Sequence, residues 1–343
     1  MSIFLKLLRT QNADKLSNLL SSLNLDSELE IENFLSKNFH LKKIIEAEPT
    51  FENTKKYYKN IYLKSNKILE VLENCDDYVD ETNIESLLEE YRKVEDKRNF
   101  NIVESFKPET DQIIYDRTKS ATGRIRVEFG PQILTLKKED RKMIFSDQKI
   151  FSIDLRALEP SLLFQLLGFQ DLDYSDIYSS VKNHLELNKI DRSYIKTSIL
   201  KILYGSSLNH IEEIDKFELE KLNSFLYSDQ INDFKISLKK QLYEHGFLYN
   251  LFGKPLLSKE TALETKFQDY MLINYFIQSS ATDLALWLLT EFYEKNKIDI
   301  IPLFVIHDAL VFYAKPSFNT SNLIQKFEFE NFNFFAKISH ISE

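Results

Sequence analysis

DRSYIKTSILKILYG, Asp191 to Gly205, is the stretch whose reading decides the fold. Arg192, Lys196, Leu200 and Tyr204 recur every four residues, and Gly205 follows at once. On an α-helix each step of four advances about 40°, so the four side chains form one drifting stripe, roughly 18 Å long. Arginine and lysine one turn apart offer a fork of donors and a compact ammonium to the same oxyanion. Leu200 and then Tyr204 carry the stripe on toward a base or a sugar. Such a face suits a nucleoside triphosphate, with phosphates at one end and the base at the other. The same spacing also describes an amphipathic helix with two solvated cations, so the rest of the chain has to decide.

Two aspartates stand at the ends of β-like runs. Asp154 follows Ile150-Phe151-Ser152-Ile153, and His307-Asp308 fills the turn between Ile301–Ile306 and Ala309–Tyr313, which read as a strand hairpin. If these strands neighbour one another in one sheet, the carboxylates converge. Paired carboxylates are the hard oxygen donors that Mg²⁺ prefers, and two such ions could clamp the attacking and leaving oxygens of a phosphoryl transfer. Taken singly, each is also an ordinary strand-end or turn aspartate.

Around these segments, residues 1 to about 100 carry apolar positions at helical spacing, a further short β-like run lies at Gln112–Tyr115, and residues 158 to 300 return to helical patterning. Lys107-Pro108-Glu109-Thr110 marks the change of character. The 343 residues, 43% hydrophobic, suffice for a substantial core and two or three subdomains. The single cysteine, Cys75, excludes an internal disulfide and a cysteine-based zinc site, which fits a reducing compartment. The N-terminus lacks the continuous apolar run and small-residue cleavage site of a signal peptide, and no stretch reaches eighteen apolar residues, so neither export nor a membrane span is expected.

A net charge of −9 argues weakly against a nucleic-acid partner, but the charge is segregated. Residues 73–90 hold eight acids and no Lys or Arg, and read as a solvated helix face. Residues 117–142 hold eight cations against three acids, a candidate phosphate-contacting strip that includes Arg117, Lys119, Arg124 and Arg126.

Several ordered segments between about 105 and 315 resemble the polymerase domain of family A DNA polymerases, the group of bacterial polymerase I and its phage relatives. Ser120-Ala121-Thr122-Gly123-Arg124-Ile125 resembles that family's T-G-R-L motif, with Gly130-Pro131-Gln132 where its P-N-L-Q segment follows. Asp154-Leu155-Arg156-Ala157-Leu158-Glu159 resembles motif A, and Asp176-Ile177-Tyr178 the D-I-H before the fingers helix. Arg192 to Gly205 reproduces motif B, R-x₃-K-x₇-Y-G. Gly246-Phe247-Leu248 with Gly253-Lys254, Asn274–Gln278 with Ala281-Thr282-Asp283, and His307-Asp308 as in motif C complete the order.

The resemblance implies an α+β right-hand polymerase: a helical, reduced thumb-like region at 1–104, an antiparallel β-sheet palm at 105–178 and 266–343, and helical fingers at 179–265. It implies DNA-templated addition of dNTPs to a primer 3′-hydroxyl by two-metal phosphoryl transfer, with two Mg²⁺ (Mn²⁺ as a substitute) on Asp154, Asp308 and the Leu155 carbonyl. Arg192, Lys196, Leu200, Tyr204 and Tyr178 would surround the incoming triphosphate, and Glu159 would be the gate against a ribose 2′-hydroxyl. Arg124, Gln278, Asn274, His307, Lys254, Arg117, Lys119 and Arg126 would contact primer–template DNA. Minor-groove acceptors are common to all Watson–Crick pairs, so such contacts check shape without reading sequence.

Leu200, Tyr178, Tyr270, Ala309 and Lys254 depart from the residues usual in the family, and none of these departures removes a metal ligand. No paired-acid exonuclease motif is found, so proofreading is expected on a separate chain, one of the replisome partners. The expected setting is the cytoplasm, a host's if the chain is phage-encoded. A single-subunit RNA polymerase or primase-like enzyme is the neighbouring alternative. A replisome scaffold subunit with a decayed site is the alternative of another class.

Overall fold

The computed structural model describes residues 61–107, 112–117, 120–146, 149–204, 216–319 and 323–341. The helical patterning read over 1–60, Lys119 and Gly205 all lie outside these residues.

In chain order, α1 (Leu63–Glu70), α2 (Glu81–Lys93) and α3 (Lys97–Glu104) precede a short hairpin of β1 (Ile114–Asp116) and β2 (Arg126–Phe129). Then come α4 (Lys138–Ile144), β3 (Ile150–Leu155), α5 (Leu158–Leu166), α6 (Ile177–His184) and α7 (Arg192–Leu203). α8 (Lys216–Leu226) and α9 (Asp229–His245) lead into a second hairpin, β4 (Phe247–Tyr249) and β5 (Pro255–Ser258), closed by α10 (Lys259–Glu264). The long α11 (Leu272–Asn296) precedes β6 (Ile300–Ile306), β7 (Ala309–Ala314), β8 (Ile324–Phe329) and β9 (Phe332–His340). The α+β expectation is met: helices surround an antiparallel sheet.

That sheet has the order β6-β7-β3-β9-β8. β3 lies at its centre, paired antiparallel with both β7 and β9. β6 is an edge strand, which is where a strand tolerates Pro302, lacking an N–H for a second ladder. Side chains alternate across β7: Leu310 and Phe312 enter one hydrophobic cluster, Val311 the other. The sheet is therefore covered on both faces.

On the first face lies α11, apolar around most of its circumference, as a helix enclosed by protein must be. α5 and α1 pack on it. On the second face, Ile84, Leu87, Leu88 and Tyr91 of α2, Val103 of α3 and Ile144 of α4 pack with Leu303, Phe304 and Val311 of the sheet. The described part of the region expected to be a thumb, residues 61–104, thus shares its cores with the sheet and does not stand apart from it. The acidic stretch is a solvated face as expected: Glu81, Glu85, Glu89 and Glu90 are exposed on α2, while Asp80 caps that helix by accepting from the Asn83 amide at 3.0 Å.

Candidate active site

Register brings the two aspartates together. Asp154 of β3 is opposite Ala309 of β7, the residue after Asp308. The Leu155 amide donates to the Asp308 carbonyl at 3.2 Å, extending the ladder past the strand end. His307, in the two-residue turn between β6 and β7, takes left-handed backbone with φ 53°, a conformation in which histidine is over-represented among non-glycine residues. Ala157, between β3 and α5, is also left-handed (φ 45°), and the sharp turn there puts Glu159 in the first turn of α5.

The electrostatics follow from this crowding. Burial raises the Asp308 carboxyl to about 7, and the negative charge of Asp154 adds to the effect. Burial also raises Asp154, although the residue as a whole is exposed; the charges of Lys196 and Arg156 oppose the rise. Glu159 is raised by burial and steadied by a hydrogen bond from the Tyr204 hydroxyl at 3.1 Å. Arg124, exposed on the approach to β2, acts on Glu159, His307 and Asp308 alike. A carboxylate whose ionisation is disfavoured by a second one beside it is relieved by positive charge, and carboxylate oxygens are the hard donors that divalent cations such as Mg²⁺ accept.

The helix read from the four-residue spacing forms over Arg192–Leu203 as α7. Ile195, Ile199 and Leu203 are buried, Arg192 and Lys196 are exposed, and Leu200 lies half-buried against the main core. Tyr204, just past the helix, is 39% exposed. Lys196 faces Asp154 closely enough to offset its charge. Arg192 meets Asp176: its Nε lies 3.1 and 2.9 Å from the two carboxylate oxygens, and its Nη2 donates at 2.8 Å. Its guanidinium lies 5.2 Å from the Tyr178 ring centroid. Tyr178, expected at the triphosphate, is only 5% exposed; its ring is a wall behind Arg192 and not an open contact surface.

Three expected DNA contacts need correction or qualification. Arg117 is not part of an exposed basic strip. It is 6% exposed and turned inward to pair with Asp283, while its Nη1 donates to Ser65 Oγ at 3.0 Å and Asn66 Oδ1 at 2.7 Å. Lys254 also points inward, its ammonium packed against Gly123, and burial lowers it to about 8. Gln278 is half-buried, its Oε1 accepting from Thr122 Oγ1 at 2.8 Å. Asn274, one turn earlier on α11, is half-buried as well, and His307, Arg124 and Arg126 are exposed.

The inward-facing charges form a brace beneath the Thr122-Gly123-Arg124 loop. Asn250 donates to Asp283 at 2.7 Å and to Ser279 Oγ at 3.2 Å, joining the β4–β5 turn to α11. Gly123 has φ +75°, a backbone conformation that favours glycine, and the Lys254 ammonium lies against it. Asp176, Asp283 and Arg156 stand within the quoted motifs but received no role from the sequence, because each bonds to another group of the protein. Arg156, for example, donates to the Ser175 carbonyl at 3.0 Å.

The family model described as DNA polymerase family A matches residues 6–326. The chain belongs to that family. No curated protein matches it. Among solved structures, the polymerase domain of Pol1 from M. smegmatis, in complex with DNA primer-template and dNTP, aligns with a TM-score of 0.49 at 16% identity. The alignment covers 69% of this chain and 50% of that one, so the chain spans half the length of that relative. No helix among the described residues is long and apolar enough to cross a membrane.

Proposed function

We propose that the chain is a DNA-templated DNA polymerase that extends a primer with dNTPs. The observation that carries this reading is the convergence of Asp154 and Asp308 at one end of β3 and β7, with Lys196 of α7 acting on Asp154. In this reading the palm comprises 105–178 and 266–343, the fingers 179–265, and the described helices of 61–104 buttress the palm.

The primer 3′-hydroxyl attacks the α-phosphate of the dNTP, a new P–O bond forms, and pyrophosphate leaves. Asp154, Asp308 and the Leu155 carbonyl would hold divalent cations, Mg²⁺ or Mn²⁺, which when bound polarise the reacting oxygens. Arg192 and Lys196 bind the phosphates through charge-assisted hydrogen bonds. Leu200 and Tyr204 bound the space for the base. Glu159, oriented by Tyr204, closes the space beside the sugar 2′ carbon and so favours deoxynucleotides. Arg124, Gln278, Asn274 and His307 stand where the primer terminus would lie, and Arg126 adds a phosphate contact. Thr122 occupies the oxygen of the Gln278 amide, which leaves its nitrogen to donate to minor-groove acceptors.

Extension of a DNA primer–template with Mg²⁺ and dNTPs or rNTPs tests the reading. Extension with a preference for dNTPs is expected. A preference for rNTPs would move the chain to the RNA polymerase or primase-like alternative, and duplex binding without any extension would move it to the scaffold alternative.

A further inference from the structure

We infer that Asp176 is a positioning residue for the triphosphate: it grips the Arg192 guanidinium by one edge and leaves the other edge aimed at the phosphates. The inference rests on the assignment of Arg192 to the triphosphate made above.

A guanidinium is a planar fork with five N–H groups and two edges able to make bidentate contacts. The Asp176 carboxylate occupies the edge formed by Nε and Nη2. Among the described residues no hydrogen bond reaches Nη1, and the Arg192 side chain is 51% exposed. The Tyr178 ring covers one face of the group at 5.2 Å. Carboxylate and ring together fix the rotation and tilt of a side chain that would otherwise sample many rotamers, so less ordering is left to be done when an anion arrives.

Asp176 could instead be a competitor that a triphosphate must displace. Its other bonds argue against that. It is the N-cap of α6, accepting from the Ser179 amide at 3.3 Å and the Ser179 hydroxyl at 2.8 Å. A carboxylate tied to its own helix does not swing away as a latch would. The pair is also open to solvent, with the two side chains 51% and 36% exposed. Solvent therefore screens the charge of Asp176, while the geometry it imposes is retained.

Asp176→Ser and Asp176→Asn separate the two roles, because serine and asparagine cap helices as well as aspartate does. In single-nucleotide extension, KM for dNTP should rise about tenfold while kcat changes far less. The thermal midpoint should stay unchanged. In an Arg192→Lys background, where no planar fork remains to orient, Asp176→Ser should add less than about twofold. Calorimetric binding of inorganic tripolyphosphate to the full chain gives a readout independent of polymerisation. Arg192→Ala should abolish that binding and Asp176→Ser should weaken it about tenfold.

A lower KM in the Asp176 variants would show a competitor. Unchanged KM and unchanged tripolyphosphate affinity would show a cap and nothing more. Full additivity with Arg192→Lys would show action through another group. Each of these overturns the inference, as does wild-type protein that binds no tripolyphosphate. If the wild type fails to extend primers yet shows the tripolyphosphate pattern, the positioning role stands and the polymerase reading falls. Normal extension with kinetically silent Asp176 variants has the opposite meaning.

Discussion

Asp283→Ala is expected to be among the most damaging single substitutions outside the reacting centre. Asp283 is fully buried on α11, and Arg117, its partner, is 6% exposed. Removing the carboxylate strands the guanidinium in the interior and takes away the neighbour whose charge favours the Lys254 ammonium. Breaking one side of a buried ion pair costs roughly 3–5 kcal/mol, most of it the unpaired charge that remains. Asn250 also loses its acceptor at 2.7 Å, worth about 1 kcal/mol more. Against a typical folding margin of about 5–15 kcal/mol, that removes from roughly a third to nearly all of the stability. Urea denaturation followed by circular dichroism measures the loss. The control is Arg117→Met with Asp283→Leu, which removes both charges and should be far less costly. A loss below about 1 kcal/mol for Asp283→Ala would refute the reasoning, because the network would then be solvated and could not brace the Thr122-Gly123-Arg124 loop.

Lys254 gives a pH signature: burial lowers it from 10.5 to about 8. The unfolded chain then binds more protons between those values, so this lysine makes stability rise across that window, by on the order of 1–3 kcal/mol, and contributes no slope below it. Lys254→Met should remove that rise from the stability–pH curve, and parallel curves for the two proteins would rule it out. Lys196→Ala should lower kcat/KM for dNTP about a hundredfold, the loss of one charge-assisted phosphate contact in roughly the 2–3 kcal/mol range; single-nucleotide kinetics measure it, and unchanged values would make α7 a structural helix only. Glu159→Ala should raise rNTP use relative to dNTP by about a hundredfold, by opening space beside the sugar. Matched extensions on one template measure the ratio, and an unmoved ratio would place the gate elsewhere.

Elements with strong local patterns were legible in the sequence. The stripe of α7 follows from four-residue spacing, and the β6–β7 hairpin from two apolar runs flanking His307-Asp308. The meeting of Asp154 with Asp308 was conditional on strand pairing, and the β3–β7 register supplies the condition. What stayed hidden is non-local. β8 and β9 were not anticipated, although Phe332–His340 of β9 completes the central pairing of β3. The β4–β5 hairpin was absorbed into a helical reading of its surroundings. Arg117 and Lys254 looked like surface cations because nothing local to either one reveals that Asp283, far along the chain, waits inside. Tyr178 looked like a contact residue for the same reason, since its burial is set by α7 and the core and not by its own neighbours.

The most direct measurement is Mg²⁺-dependent addition of one nucleotide to a DNA primer–template by the wild type, Asp154→Asn and Asp308→Asn, with primer–template affinity measured alongside. The wild type should add the templated dNTP. Each variant should lose at least about a thousandfold in rate, a barrier increase of roughly 4 kcal/mol, while its affinity for the duplex, which comes mainly from phosphate contacts elsewhere, changes little. Addition by either variant at the wild-type rate would contradict the assignment of these carboxylates as the reacting centre.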